Sequence, residues 1–194
     1  MNNNTFQNFG DGDGWVVNVR AKQREEKSPN ESTVQQVIII LVGLPGSGKS
    51  FFASSLERKS LSHFVRINQD SLGTRQKCKT SARKALGDGK SVVIDRCNFD
   101  ATQREHWVKI GKEFGVPCEC IFFNYDKSLC IQRCKDRSNH PTIDRRNAAS
   151  VINGMVKQLR APPPNSPLFR RVTTVTSFSK SNEIVQSYLD RMNA

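Results

Sequence analysis

The sequence predicts an α/β fold built on a parallel sheet. Two observations carry that prediction. From Val37 onward, apolar runs of strand length alternate with amphipathic stretches of helix length. Between the first run and the first helical stretch stands Gly43-Leu44-Pro45-Gly46-Ser47-Gly48-Lys49-Ser50. It matches G-x-x-x-x-G-K-[ST] in the strand–loop–helix setting which that motif requires.

The elements follow in order. Val37–Val42 is an unbroken apolar run, the mark of a strand buried on both faces. Lys49 to about Lys59 reads as a helix, and Phe64–Ile67 as a short strand. Helical spacing then runs from Asp70 to about Leu86, ended by Gly87 and Gly89. Ser91–Asp95 is a third strand, Asp100–Phe114 a helix stopped by Gly115, and Pro117–Phe123 a fourth strand. Asp126–Asp136 and Arg145–Leu159 are helical. Pro162, Pro163 and Pro164 stiffen the connector Ala161–Pro167. Arg171–Ser177 reads as the last strand and Asn182–Met192 as the last helix. Residues 1–33 are Asn-rich, Gly-rich and charged without a sustained apolar period, and are expected to be a disordered tail. Trp15, Val16 and Val17 make a small apolar island within it. The folded domain is expected over 34–194.

Composition narrows the function. The 194 residues carry a formal charge of +12, but residues 1–34 sum to −1 and residues 35–194 to +13. The folded part is the basic part, which suits a polyanion or a phosphorylated ligand, or a surface kept soluble by charge. No apolar run approaches the ~20 residues of a membrane span, and no signal peptide is expected. Cys78, Cys97, Cys118, Cys120, Cys130 and Cys134 include no C-x-x-C pair, and His63, His106 and His140 are isolated. A zinc site is therefore not expected; the cysteines read as small core residues of a protein in a reducing compartment, nucleus or cytoplasm.

The glycine-bearing loop explains its own composition. Glycines let backbone N–H groups turn inward around phosphate oxygens, and the following helix aims its positive end at the same oxygens. Lys49 supplies a mobile charge and the Ser50 hydroxyl a ligand for Mg²⁺. All eight residues from Gly43 through Leu44, Pro45, Gly46, Ser47, Gly48 and Lys49 to Ser50 are expected to hold ATP with Mg²⁺. No guanine-reading N-K-x-D is present, which favours a phosphotransferase over a switch GTPase.

Around the loop stand further candidates. Asp70 follows the second strand and fits a general base for an acceptor hydroxyl, or a helix N-cap. Asp95 ends the third strand, where it fits the Mg²⁺ shell, the acceptor hydroxyl or a turn. Arg75, Lys79 and Arg83 at i, i+4, i+8 share one helix face, a stripe for an acceptor bearing several phosphates or a solvated surface. Arg96 is grouped with these acceptor-binding residues. Arg133, Arg137, Arg145 and Arg146 flank Ser138–Thr142, fitting an arginine-bearing lid or a basic surface loop. Arg133 and Arg137 are its candidate catalytic arginines.

Gly43–Ser50, Asn68-Gln69-Asp70-Ser71-Leu72-Gly73, Gly89–Asn98 and Gly115-Val116-Pro117-Cys118, in this order, resemble the kinase module of the polynucleotide 5′-hydroxyl kinase family. The likeness runs from Val37 to about Arg160 and is most like the module that is elsewhere fused to an aprataxin-like HIT domain. It implies a P-loop kinase with a five-stranded parallel sheet in the order 2-3-1-4-5. It further implies ATP with Mg²⁺, and a 5′-hydroxyl end of DNA or RNA as acceptor. Asp70 aligns with the family's general base, and Lys49 and Ser50 with its phosphate-loop pair. The bacteriophage form has an arginine three residues after the base; here that position is Gly73, and Arg75 stands nearby. Neither an H-x-H-x-H triplet nor a D-x-D-x-T signature occurs in the sequence. Two further readings stay open: a small-metabolite kinase, and a non-catalytic module that binds nucleic acid ends and recruits a partner such as a separately encoded HIT-domain protein. Preference between DNA and RNA, and oligomeric state, leave no mark in the sequence.

Overall fold

The computed structural model describes residues 35–137, 143 and 145–193. The expectations for residues 1–33, for the Trp15–Val17 island and for Ser138–Thr142 lie outside the described residues. Five strands, β1 (Ile38–Gly43), β2 (Phe64–Asn68), β3 (Ser91–Asp95), β4 (Cys118–Phe123) and β5 (Arg171–Val175), form one sheet in the order β2-β3-β1-β4-β5. Every pairing is parallel. The crossovers are made by α1 (Lys49–Lys59), α2 (Gln69–Leu72), α3 (Arg75–Gly87), α4 (Ala101–Phe114), α5 (Lys127–Asp136) and α6 (Ala148–Gln158), and α7 (Phe178–Met192) closes the fold.

The two-residue period of the strands divides the core into two layers. Ile38, Ile40 and Val42 of β1 face Cys78, Ala82 and Trp107 of α3 and α4. Ile39 and Leu41 face the other way, onto Phe52 and Leu56 of α1 and Val185 of α7. β1 is buried along its whole length, so its continuous apolar run is used by both layers. A third cluster, with Leu44, Cys130, Cys134 and Ile152, packs α5 and α6 beside the phosphate loop. Five of the cysteines are buried and Cys97 is half-buried.

Several boundaries differ from expectation for identifiable reasons. The helical stretch expected from Asp70 to Leu86 is two helices. Gly73 adopts φ 82, and Thr74 is an extended N-cap whose hydroxyl accepts from Lys77 N, so α3 starts afresh. The final helix begins at Phe178 instead of Asn182 because Ser177 caps it, accepting from Lys180 N, and this ends β5 at Val175. β4 begins one residue after Pro117, which has no N–H for the ladder. The helix expected from Arg145 begins at Ala148, with Asn147 as N-cap. Asp100 and Asp126 are N-caps of α4 and α5, each accepting backbone N–H bonds. Among the described residues no helix is long and apolar enough to cross a membrane.

Candidate active site

β1, β2 and β3 all end on the carboxyl edge of the sheet, and the residues that follow them meet there. Gly46 (φ 81) and Gly48 (φ 97) turn the loop after β1 through conformations that L side chains rarely adopt. A Cβ on Gly46 would also run into the Cys130 carbonyl, so this position is closed to any other residue. α1 has no side-chain cap and no acidic residue in its first turn. Its positive N-terminus therefore stays available to an anion. The Lys49 ammonium is buried and donates to the carbonyls of Gly43 (3.0 Å) and Leu44 (2.7 Å).

Asp95 is the best-held acid of this edge, its side chain 2% exposed. Oδ2 accepts from Arg66 Nε (2.8 Å) and Nη2 (2.5 Å) and from Asn68 Nδ2 (2.8 Å). Oδ1 accepts from the Ser50 hydroxyl at 3.2 Å. Three donors from two side chains thus fix one oxygen and leave the other shared with the phosphate loop. Ser50 and Asp95 together present hard oxygens, the donor type that suits Mg²⁺, which takes one or two protein oxygens and completes its shell with water and phosphate.

A cavity of about 240 Å³ opens between these elements, and Lys49, Ser50, Asp70, Asp95, Arg96 and Arg137 all line it. Asp70 is exposed on α2, at the same mouth. The cap of α2 is Asn68, whose side-chain Oδ1 accepts from Ser71 N at 3.0 Å; Asp70 has no part in it. Arg96 is half-buried, and burial, then the nearby charge of Arg75, holds its pKa below the ordinary arginine value, against Cys78 and Asp70. Its guanidinium lies 6.0 Å from the Trp107 ring centroid.

Of the four arginines expected of a lid, the two catalytic candidates, Arg133 and Arg137, flank the loop. Arg137 lines both this cavity and a second one of about 190 Å³ on the other side of the loop, shared with Arg133, Tyr125, Phe51 and Phe178. Arg133 lies 5.1 Å over the Tyr125 ring, and the rings of Phe51 and Phe178 are 5.2 Å apart. Arg145 and Arg146 line neither cavity. The basic stripe is not brought to the cavity either. Arg75 meets His106 Nε2 at 3.2 Å, and Arg83 makes a fork to Glu113 at 2.8–3.0 Å. The break at Gly73 and Thr74 separates this stripe from Asp70, which were expected on one continuous helix.

Sequence reasoning missed Arg66, Asn68 and Asn98. The first two share a face of β2 at i, i+2, and Asn68 pairs in register with Asp95. The polar alternation was the available signal, but it needs that register to be read. Asn98 is buried with φ 42. It donates to Leu41 O (2.8 Å), and its own oxygen accepts from Trp107 Nε1 (3.1 Å). It ties the loop after β3 to β1 and α4.

Residues 71–162 match a family described as the AAA domain. A stretch of 182 residues, 89% of this chain, is 32% identical to transcription factor bHLH140 of Arabidopsis thaliana, covering 20% of that protein. A stretch of 94 residues, 48% of this chain, is 42% identical to the bifunctional polynucleotide phosphatase/kinase of Schizosaccharomyces pombe, covering 22% of it. The chain thus spans about a fifth of the length of these relatives. Among solved structures, Chaetomium thermophilum Kti12 in complex with ADP-AlF3 superposes with a TM-score of 0.63 at 16% identity, over 79% of this chain and 98% of that one. The five-stranded sheet in the order 2-3-1-4-5 and the phosphate loop make this a P-loop kinase fold, with a polynucleotide phosphatase/kinase among its homologues.

Proposed function

We propose that this P-loop kinase domain, taken as residues 34–194, transfers the γ-phosphoryl group of ATP to the 5′-hydroxyl end of DNA or RNA, in nucleic acid end repair or processing. One observation carries the reading: Asp70 lines the same cavity as Lys49 and Ser50. The +13 charge of residues 35–194 and the identity to a polynucleotide phosphatase/kinase support a polynucleotide acceptor over a small metabolite.

In this scheme the loop amides and the N-terminus of α1 receive the phosphate tail, and Lys49 exchanges its loop carbonyls for the β- and γ-phosphate oxygens. Ser50 and Asp95 would hold Mg²⁺, which supplies charge neutralisation to those phosphates. Asp70 accepts the proton of the 5′-hydroxyl as its oxygen bonds to the γ-phosphorus and the bond to the β,γ-bridging oxygen breaks. ADP leaves with that oxygen. Arg137, with Arg133 beside it, faces the charge on the transferring group. The ring faces of Phe51, Phe178 and Tyr125 offer a stacking surface for the nucleotide base. An intracellular location and a separately encoded HIT-domain partner belong to the same proposal.

The test is transfer of labelled γ-phosphate to 5′-hydroxyl DNA, 5′-hydroxyl RNA and a panel of small hydroxylated metabolites. Label is expected on a polynucleotide, and Asp70→Ala is expected to lower kcat by ~10²–10⁴-fold. Label on a metabolite alone, or full turnover in Asp70→Ala, overturns the assignment.

A further inference from the structure

α3 and α4 pack side by side over one face of the sheet, and both run away from the carboxyl edge. Their facing positions form a ladder. On α3 these are Arg75, Lys79 and Arg83; on α4 they are His106, Lys109 and Glu113. The first rung is Arg75 Nη1 to His106 Nε2 at 3.2 Å. The third is the forked pair of Arg83 and Glu113. Eight residues of α3 separate these rungs, ~12 Å of helix, with Lys79 and Lys109 between them.

The ladder is electrically uneven. α3 contains no acidic residue, while α4 carries Glu105 one turn before Lys109 and Glu113 at the third rung, so the first two rungs keep an excess of positive charge. The first two rungs bring Arg75, His106, Lys79 and Lys109 together with Arg96 at the cavity end. Burial, and then the charges of Lys79, Arg75, Lys109 and Arg96, hold the His106 pKa below the ordinary histidine value. The acid facing Arg96 is Asp70, at the mouth of the cavity. The like charges of Arg75, Lys79, Lys109 and Arg96 repel one another, and a polyanion laid along them removes that cost, while His106 accepts from Arg75 through Nε2. At Arg83 the tract ends, because Glu113 already neutralises it.

Resting on the kinase reading above, we infer that the acceptor strand leaves the cavity between α3 and α4, its first few phosphates gripped in turn by Arg96, Arg75 with His106, and Lys79 with Lys109. The grip is on the backbone alone. The exposed aromatic rings among the described residues are Phe51 and Phe178, on the nucleotide side of the loop, and Phe114, beyond the Arg83–Glu113 pair. None of these three lies in the tract, whose own rings are His106, held by Arg75, and half-buried Phe99 in the cavity wall, so acceptor choice depends more on length and salt than on sequence.

The experiment measures kcat and KM for a 5′-hydroxyl dinucleotide and a 5′-hydroxyl decanucleotide over a range of salt. Lys79→Glu/Lys109→Glu is expected to raise KM for the decanucleotide, leave KM for the dinucleotide and both kcat values near wild type, and flatten the decanucleotide salt slope by ~1.4. Glu113→Gln, which frees Arg83, is expected to act oppositely: a lower decanucleotide KM and a slope steeper by ~0.7. All three substituted positions are on the helix surface, and the melting curve checks that the variants fold. If both acceptors respond equally to the charge reversal, or Glu113→Gln leaves the decanucleotide unchanged, the tract is wrong while the kinase reading stands. If neither acceptor takes up label in the wild type, it is the kinase reading that fails.

Discussion

Asp95 and Glu119 are both buried carboxylates, both with side chains 2% exposed, and both are clamped by arginine. They sit near opposite ends of the sheet. Asp95 closes β3 at the carboxyl edge; Glu119 is the second residue of β4, near the amino edge. The difference lies in what is left over. Asp95 gives one oxygen to Arg66 and Asn68 and shares the other with a loop hydroxyl beside a cavity. Glu119 spends both. Oε1 accepts from Arg170 and lies 3.5 Å from Arg191, while Oε2 accepts from Arg171 and the Tyr188 hydroxyl. Arg191 and Arg171 also lie over the Tyr188 ring, at 4.2 and 5.7 Å. A carboxylate with a spare oxygen at an open cavity can serve chemistry; one fully consumed fastens β4 to β5 and α7.

The sharpest way to break this contrast is Asp95→Asn. It is expected to lower kcat by ~10²–10³-fold in the γ-phosphate transfer assay. Turnover close to wild type would make the two acids equivalent in kind. Glu119→Gln should do the reverse, costing ~2–3 kcal/mol of unfolding free energy in urea while kcat holds. Burial alone would raise the Glu119 pKa, but donation by Tyr188, Arg170 and Arg171 outweighs it and brings the pKa below the ordinary value. Its contribution to stability is therefore full above the unfolded glutamate pKa of ~4.3 and drains away as pH falls through the lower folded value. The wild-type urea midpoint should fall on acidification through that window, and the Glu119→Gln midpoint should fall less. Tyr188→Phe is expected to have the smallest effect, ~1–2 kcal/mol for one bond to a buried charge, with kcat unchanged. A Tyr188→Phe loss as large as that of Glu119→Gln would shift the anchoring role from the carboxylate to the ring.

How much of this was legible depends on sequence distance. The strand order's raw material, the alternation of apolar runs and helical stretches, is local, and so is the loop that matches the phosphate-binding pattern. Asp70 and Asp95 could be placed because each stands at a strand end, and parallel strands bring their ends to one edge. The clamp on Asp95 needed the register of β2 against β3. Arg83 looked available in its own helix, because its partner Glu113 lies thirty residues further on. The Gly73-Thr74 pair was a local signal of a helix break, and the apolar spacing on either side of it obscured that signal. The four-part lock on Glu119 draws on residues from β4 to α7 and has no local pattern at all.

Because Gly73 and Thr74 sever α2 from α3, the turn bearing Asp70 and the helix bearing Arg75 and Lys79 are separate elements. On the proposed reading, substitutions along α3 would change which anionic acceptor is held while leaving Asp70, the proposed base, in place.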